Sequence, residues 1–282
     1  MAKCGVCFRH CEIAEGGLGF CGGRTARSGR TEAFNYGRIT SLALDPIEKK
    51  PLARFFPGSM ILSAGSFGCN LRCPFCQNYE ISWSEAARKQ AYEAETISPG
   101  ELAALAEKLR PRGNIGLAFT YNEPLIGWEF VRDTARLVKE RGMKNVLVTN
   151  GEAELEVLHE LASFIDAMNI DLKGFTDRYY GEVLGGDRRM VMDFIEAAVK
   201  FCHVELTTLI VPGENDGEDE MRDISLWVSR LRNPDGESVP LHVSRFFPRF
   251  HMKDRAAAEV NTVYRLAGIA RERLEFVYTG NC

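Results

Sequence analysis

The sequence predicts an α/β protein, a partial (β/α)6 barrel preceded by a small cysteine-rich N-terminal extension. Three observations carry that reading. From residue 61 onward, short apolar runs alternate with amphipathic helical patterns. Most of those runs are continuously apolar, as parallel strands covered on both faces require. Seven of the nine cysteines fall before residue 77, in two clusters. Repeated β-α units with right-handed crossovers build an open parallel sheet or a curved barrel. About six units are too few to close an eightfold barrel.

The expected strands are Ile61–Ser66, Ile115–Phe119, Asn145–Thr149, Phe164–Ile170, His203–Leu209, Leu241–Arg245 and Leu274–Tyr278. The first helix opens at Ser98-Pro99-Gly100-Glu101, a capping-box pattern with proline at the first helical position. Its Leu102, Leu105 and Leu109 form one apolar stripe. Further helices are expected over Ile126–Arg141, Ala153–Ser163, Met190–Phe201, Glu218–Leu231 and Arg255–Arg271. One boundary stands out near residues 50–60, at Lys49-Lys50-Pro51 and Pro57-Gly58. It divides a cysteine-rich, metal-binding lobe over 1–55 from a barrel over 56–282.

Composition narrows the class. The chain has 282 residues, 45% hydrophobic and 26% charged, an ordinary globular balance. A net charge of −4 without a polybasic run argues against a nucleic-acid partner. No apolar run reaches the roughly 18 residues of a membrane span, and the N-terminus lacks a signal-peptide core. A cytoplasmic protein is expected, and clustered cysteines in that compartment read as metal ligands rather than disulfides.

The central motif is Cys69-Asn70-Leu71-Arg72-Cys73-Pro74-Phe75-Cys76, three cysteines within eight residues. A [4Fe–4S] cluster usually takes four thiolates. Three with no fourth nearby leave one iron open to bind a small molecule and pass it an electron. The triad follows the first barrel strand, which places it at the carboxyl end of the sheet, where parallel α/β folds put their sites. A second group, Cys4, Cys7, Cys11 and Cys21, supplies a full set for tetrahedral zinc or an auxiliary iron–sulfur cluster. Spacing does not choose between them. His10 could replace one cysteine of this set but reads first as its neighbour, Cys202 reads as a core thiol and Cys282 as free.

The CxxxCxxC spacing, with an aromatic before the last cysteine, resembles the signature of the radical SAM superfamily. In that family the open iron chelates the methionine end of S-adenosylmethionine (SAM), which is cleaved to a 5′-deoxyadenosyl radical. Later strand ends add to the likeness. Thr120-Tyr121-Asn122-Glu123-Pro124 stands where such enzymes often carry Gly-Gly-Glu-Pro, so Asn122 and Glu123 are expected to accept from the methionine ammonium group. Thr149-Asn150-Gly151 is similar to the Thr-Asn-Gly of glycyl-radical activating enzymes, although Val148 stands where relatives carry a ribose-binding acid. Alternation puts Asp171 and Lys173 on one side of their strand, matching the ammonium and carboxylate of methionine. Thr207 to Gly213 also resembles the activating enzymes. His242, Phe75 and Gln77 match positions near the adenine.

The likeness covers nearly the whole chain and is to the pyruvate formate-lyase activating enzyme-like branch. Asp45-Pro46-Ile47-Glu48-Lys49-Lys50-Pro51-Leu52 and Cys76-Gln77-Asn78-Tyr79-Glu80-Ile81-Ser82 look like the radical SAM member of the AmmeMemoRadiSam system. Members of that subgroup continue past the Gly280-Asn281 position into a further cysteine-containing tail, and any site built by that tail is expected to be absent here. The resemblance implies a [4Fe–4S] cluster, SAM, and a one-electron reductant such as flavodoxin or ferredoxin. The substrate it implies is a glycine on a partner protein, or equally another protein or a small molecule. A modification enzyme whose N-terminal cluster anchors the substrate is a second reading. A non-catalytic electron-transfer module is a third, against which the intact triad counts.

Overall fold

In the computed structural model, which describes residues 1–82, 84–93 and 96–282, the chain opens with two small antiparallel pairs. β1 (Ala2–Lys3) pairs with β2 (Glu12–Ile13), and β3 (Arg24–Arg27) with β4 (Arg30–Ala33). An eight-stranded sheet then follows in strict chain order: β5 (Ser41–Pro46), β6 (Met60–Gly65), β7 (Asn114–Phe119), β8 (Lys144–Thr149), β9 (Ala167–Asp171), β10 (His203–Ile210), β11 (Leu241–Arg245) and β12 (Val277–Gly280). All neighbours are parallel except β5, which runs antiparallel along β6. Among the described residues β5 and β12 are the sheet's two edges.

The edge strand β5 is one the apolar pattern did not indicate. It lies on the N-terminal side of the expected division at 55/56, so the sheet draws on a segment expected in the lobe. Ser-Leu-Ala-Leu-Asp-Pro is short, half-exposed and ends in proline, which suits a sheet edge and hides it from a search for buried runs.

Eight helices are described: α1 (Tyr79–Ser82), α2 (Glu85–Glu93), α3 (Pro99–Lys108), α4 (Trp128–Glu140), α5 (Leu155–Leu161), α6 (Arg188–Ala198), α7 (Glu218–Val228) and α8 (Val260–Arg271). The capping box of α3 forms: the Ser98 hydroxyl accepts the Glu101 amide at 3.2 Å, and the Glu101 carboxylate accepts the Ser98 amide at 2.8 Å. Asp187 caps α6 through the amides of Arg189 and Met190. The helix expected from Ile126 begins at Trp128, because Pro124–Gly127 forms a 3₁₀ turn capped by Glu123. The helix expected from Arg255 begins at Val260. Before it, Ala258 is pinned by its amide to the Phe246 carbonyl at 3.0 Å and by its carbonyl to Arg245 at 2.7 Å. β9 starts at Ala167 rather than Phe164, since Phe164 and Ile165 close the exit turn of α5 on the Leu161 carbonyl. A π-helical turn, Tyr179–Leu184, was not expected, and it buries both of its tyrosines.

Strand residues such as Leu117, Leu147, Met168, Ile170, Leu206 and Val243 are buried, with helical Leu102, Val138, Leu158 and Phe194 packed into the same core. Gly116 in β7 sits directly against Lys144 of β8. A Cβ there would overlap the Lys144 carbonyl and backbone, which cannot give way without breaking the ladder. Gly116→Ala is therefore expected to lower stability by about 3 kcal/mol or more, read as a fall in the urea midpoint. An unchanged midpoint would contradict this close approach.

Candidate active site

The carboxyl ends of β6 to β11 converge on a cleft of about 1000 Å³, including the open space at its mouth. Cys69, Cys73 and Cys76 all line it, and among the described residues no fourth cysteine does. None of the three is in a disulfide. Their loop is held from several sides. The Cys69 amide donates to the Cys21 carbonyl at 3.1 Å, the Arg72 amide to Leu184 at 3.1 Å and the Cys76 amide to Cys73 at 3.1 Å. The Leu71 amide points at the Cys69 sulfur at 3.4 Å, and the Asn150 side-chain amide approaches it at 3.8 Å. Burial pushes the Cys73 thiol up to about 12 and holds Cys69 well above its ordinary value. Thiolate formation is thus coupled to metal binding.

Glu123 lies 2% exposed at the exit of β7. One of its oxygens accepts from the Thr149 hydroxyl at 2.7 Å and the Leu125 amide at 3.0 Å; the other accepts from the Asn150 amide at 2.8 Å. Burial raises its pKa to about 7 against the pull of those bonds. Asn122 is equally engaged: its oxygen accepts the Ser66 amide at 3.0 Å, and its nitrogen donates to the Gly68 carbonyl at 3.2 Å. Both residues line the cleft, yet the atoms expected to meet an ammonium group already brace the cysteine loop. Thr149 and Asn150 belong to the same brace.

Asp171 and Lys173, at the end of β9, face the cleft together with Nζ to Oδ2 at 2.8 Å. Burial works against the ammonium charge, but Asp171 and the neighbouring Cys73 hold its pKa well above the ordinary value. The Lys173 amide donates to the Tyr180 hydroxyl at 3.0 Å, which gives the π-helical turn a role in setting this strand end. Phe75 and Gln77 also line the cleft, Phe75 edge-on to Phe246.

His242 stands apart. It lines an adjoining cavity that shares Gln77, Thr207, Ser244 and Asn281 with the main cleft. Its Nε2 lies 2.6 Å from Glu205, and its ring stacks on Tyr278. Glu205 also contacts His203 at 3.0 Å and accepts the amides of Ala53 and Arg54 at 2.9 and 2.8 Å.

Four residues were given no role in the sequence reading. Glu205 is a carboxylate inside an apolar strand, a signal that was there to be used. Glu152 is buried, accepts the Asp187 amide at 2.9 Å, and is raised to about 8 by burial. Asn70 joins Asn150 at 2.9 Å to the Glu152 carbonyl at 2.7 Å. Tyr121 adopts φ 71° and donates its hydroxyl to Asp45 at 2.8 Å, beside Lys50. No spacing pattern announces the partners of these last three.

In the N-terminal lobe, Cys4, Cys7, Cys11 and Cys21 line one pocket, and all four are free thiols. His10 is turned away to Glu154 at 3.3 Å. Among the described residues no group of three or more His, Cys, Asp or Glu side chains is arranged to hold a single metal ion. A cubane makes a different demand, because each thiolate ligates its own iron and the sulfurs need not meet at one point. Three free thiols around an open cleft, with amides aimed at sulfur, fit that group.

A mostly parallel sheet with a three-thiol loop beyond its carboxyl edge defines an α/β fold with a thiol-lined cleft. Residues 65–224 match the radical SAM superfamily, and the chain belongs to it. Membership implies a [4Fe–4S] cluster and SAM. An uncharacterised protein of Methanocaldococcus jannaschii is 39% identical over 99% of this chain and 81% of its own length. The pyruvate formate-lyase-activating enzyme of Clostridium pasteurianum is 27% identical over 62% of this chain and 72% of its own. A domain of the pyruvate-formate lyase-activating enzyme from Bacteroides vulgatus superposes with a TM-score of 0.50 at 16% identity, over 59% of this chain and 99% of that one. Among the described residues no helix is long and apolar enough to cross a membrane.

The Glu205 knot has a measurable signature. Burial alone would raise this carboxyl, but His203, His242 and the two amides hold it at about 2, below its ordinary 4.5. A depressed folded-state pKa stabilises fully above the unfolded value, and that contribution is lost as pH falls from 4.5 toward about 2. Glu205→Gln is expected to lower stability at pH 7 by about 3 kcal/mol or more and to flatten the acid-side dependence. Urea melts of both proteins across that range test it; parallel curves would refute the assignment.

Proposed function

We propose that the chain is a radical SAM oxidoreductase whose resident [4Fe–4S] cluster sits on Cys69, Cys73 and Cys76. When bound, the cluster and SAM supply reductive cleavage to a 5′-deoxyadenosyl radical for hydrogen abstraction. One observation supports this most: three free thiols share a cleft with the Asp171–Lys173 pair and with polar groups from successive strand ends.

In this reading Lys173 offers a fixed positive charge to the methionine carboxylate, and Asp171 offers a carboxylate to its ammonium. Phe75 and Gln77 form the wall against the adenine. Asn122, Glu123, Thr149 and Asn150 act as positioning residues that hold the cysteine loop at a set height over the sheet. His242, committed to Glu205, shapes the adjoining wall. The protein's part is orientation and exclusion of water.

The names of the relatives support a finer proposal, that the hydrogen is taken from a glycine of a partner protein, as in glycyl-radical enzyme activation. The alternative target is another protein or a small molecule. We place the enzyme in the cytoplasm, reduced by flavodoxin or ferredoxin, with a second metal centre, zinc or iron–sulfur, on Cys4, Cys7, Cys11 and Cys21.

Anaerobic reconstitution, reduction with dithionite and quantification of 5′-deoxyadenosine test the reading. The wild type is expected to produce it, and the C69A/C73A/C76A variant to produce none. Asp171→Asn is expected to raise KM for SAM about tenfold, the loss of one charge-assisted hydrogen bond. Wild-type protein with a full cluster and no deoxyadenosine would end the proposal.

A further inference from the structure

We propose that the connection between β11 and α8 is a docking rim for the partner protein, and that it takes an acidic segment of that protein beside the mouth of the cleft. The choice of a protein partner rests on the function proposed above; the preference of this surface for an acidic peptide does not.

The sequence sets the charge. Between residues 245 and 255 the chain carries three arginines, a lysine and a histidine against one acid, Asp254, in a protein whose net charge is −4. Phe246, Phe247 and Phe250 are interleaved with them. Two of the cations are already engaged. Arg255 pairs with Glu214 at 2.9 Å; Arg245 donates to the Ala258 carbonyl at 2.7 Å and lies 4.8 Å from the centre of the Phe247 ring. Arg249 and Lys253 are exposed, and among the described residues neither side chain has a hydrogen bond or ion pair.

The structure fixes this strip at the cleft. Ser244, just before it, lines the cleft wall, and Phe246 is buried edge-on to Phe75. Further along, the His251 amide donates to the Pro74 carbonyl at 2.9 Å, and Phe250 stacks on Tyr79 at 4.3 Å. Pro74 and Tyr79 bracket Phe75, Cys76, Gln77 and Asn78, all of which line the cleft. The strip therefore leaves the wall at one point and returns over the cysteine loop at another. A 3₁₀ turn over Phe250–Met252, with Met252 buried, keeps it folded. Arg249 and Lys253 flank that turn.

The chemistry selects the partner. Arginine and aromatic side chains are enriched at protein interfaces, and cations on a rim steer and select an oppositely charged partner. Arg249 offers a fork for two-point contact with a carboxylate, and Lys253 a point charge. Phe247, 37% exposed, adds an apolar footing beside them. Two unengaged cations match a few carboxylates of a peptide. A polynucleotide would bring a long run of phosphates to a protein that is negative overall. On the facing segment the one acid, Glu80, accepts the Tyr79 hydroxyl at 3.0 Å.

The test uses anaerobically reconstituted enzyme and a fluorescein-labelled peptide of sequence DEFGED, read by fluorescence anisotropy. The peptide is expected to bind, more weakly as salt is raised, while KKFGKK does not. Both rim side chains are exposed and unbonded, so R249E/K253E is expected to keep the wild-type circular dichroism spectrum and the wild-type rate of deoxyadenosine formation with dithionite and no peptide. Its affinity for the acidic peptide is expected to fall about tenfold. Equal binding of the two peptides, or unchanged affinity in the variant, would overturn the proposal. Tighter binding of a single-stranded hexathymidylate would assign the rim to nucleic acid and overturn it as well. A variant slowed with reduced flavodoxin but not with dithionite would assign the rim to the electron donor, and one slowed with both would assign it to the SAM site; either overturns it. Wild type without deoxyadenosine under dithionite would instead remove the function proposed above and leave the peptide result standing.

Discussion

The carboxylate of Glu123 ties the ends of three neighbouring strands to one loop. Its oxygens take the Thr149 hydroxyl and the Asn150 amide from the end of β8, while its own amide donates to Gly68 just before Cys69. Asn150 in turn reaches the Cys69 sulfur and Asn70, and Asn70 accepts Arg9 of the N-terminal lobe at its carbonyl. Remove this buried acceptor and several donors lose their partner at once. Such networks hold a single geometry because every member is satisfied by the next.

Around that tie the cleft separates two electrostatic tasks. Cys69 and Cys73 sit in a buried setting that resists ionisation, which a bound metal would offset. The Asp171–Lys173 pair keeps both signs available at the same wall, 2.8 Å apart, where a zwitterion can exchange partners with it. Deeper in the sheet, Glu205 does something different. It joins Ala53 and Arg54, which lead into β6, to His242 on β11, so the connection between lobe and sheet is anchored to a strand far along the chain.

Much of the sheet could be read from the sequence because parallel strands must be apolar on both faces. β7, β8, β10 and β11 announce themselves that way, and Ser98–Glu101 marks a helix start by local hydrogen bonding alone. β5 was hidden because an edge strand needs neither continuous burial nor regular alternation. The π-helical turn was hidden because its two tyrosines are buried by tertiary packing rather than by helical period. At the site, residue types and spacing revealed which side chains gather, since chemistry constrains them. They did not reveal who holds whom: Glu123 turned inward to Thr149, and His242 to a carboxylate 37 residues away. Partners at that separation leave no trace in a local pattern.

The unbroken order of the sheet from β5 to β12 bears on how the enzyme is made. Each strand pairs with the one synthesised just before it, so loop closure stays short and the sheet can grow along the emerging chain. The three thiols leave the ribosome early, in the loop just after β6, whereas Ser244 on β11 and Asn281 after β12, which complete the far wall, arrive much later. A nascent chain therefore displays its cysteine loop on an unfinished sheet, open on the side that the final strands later wall off.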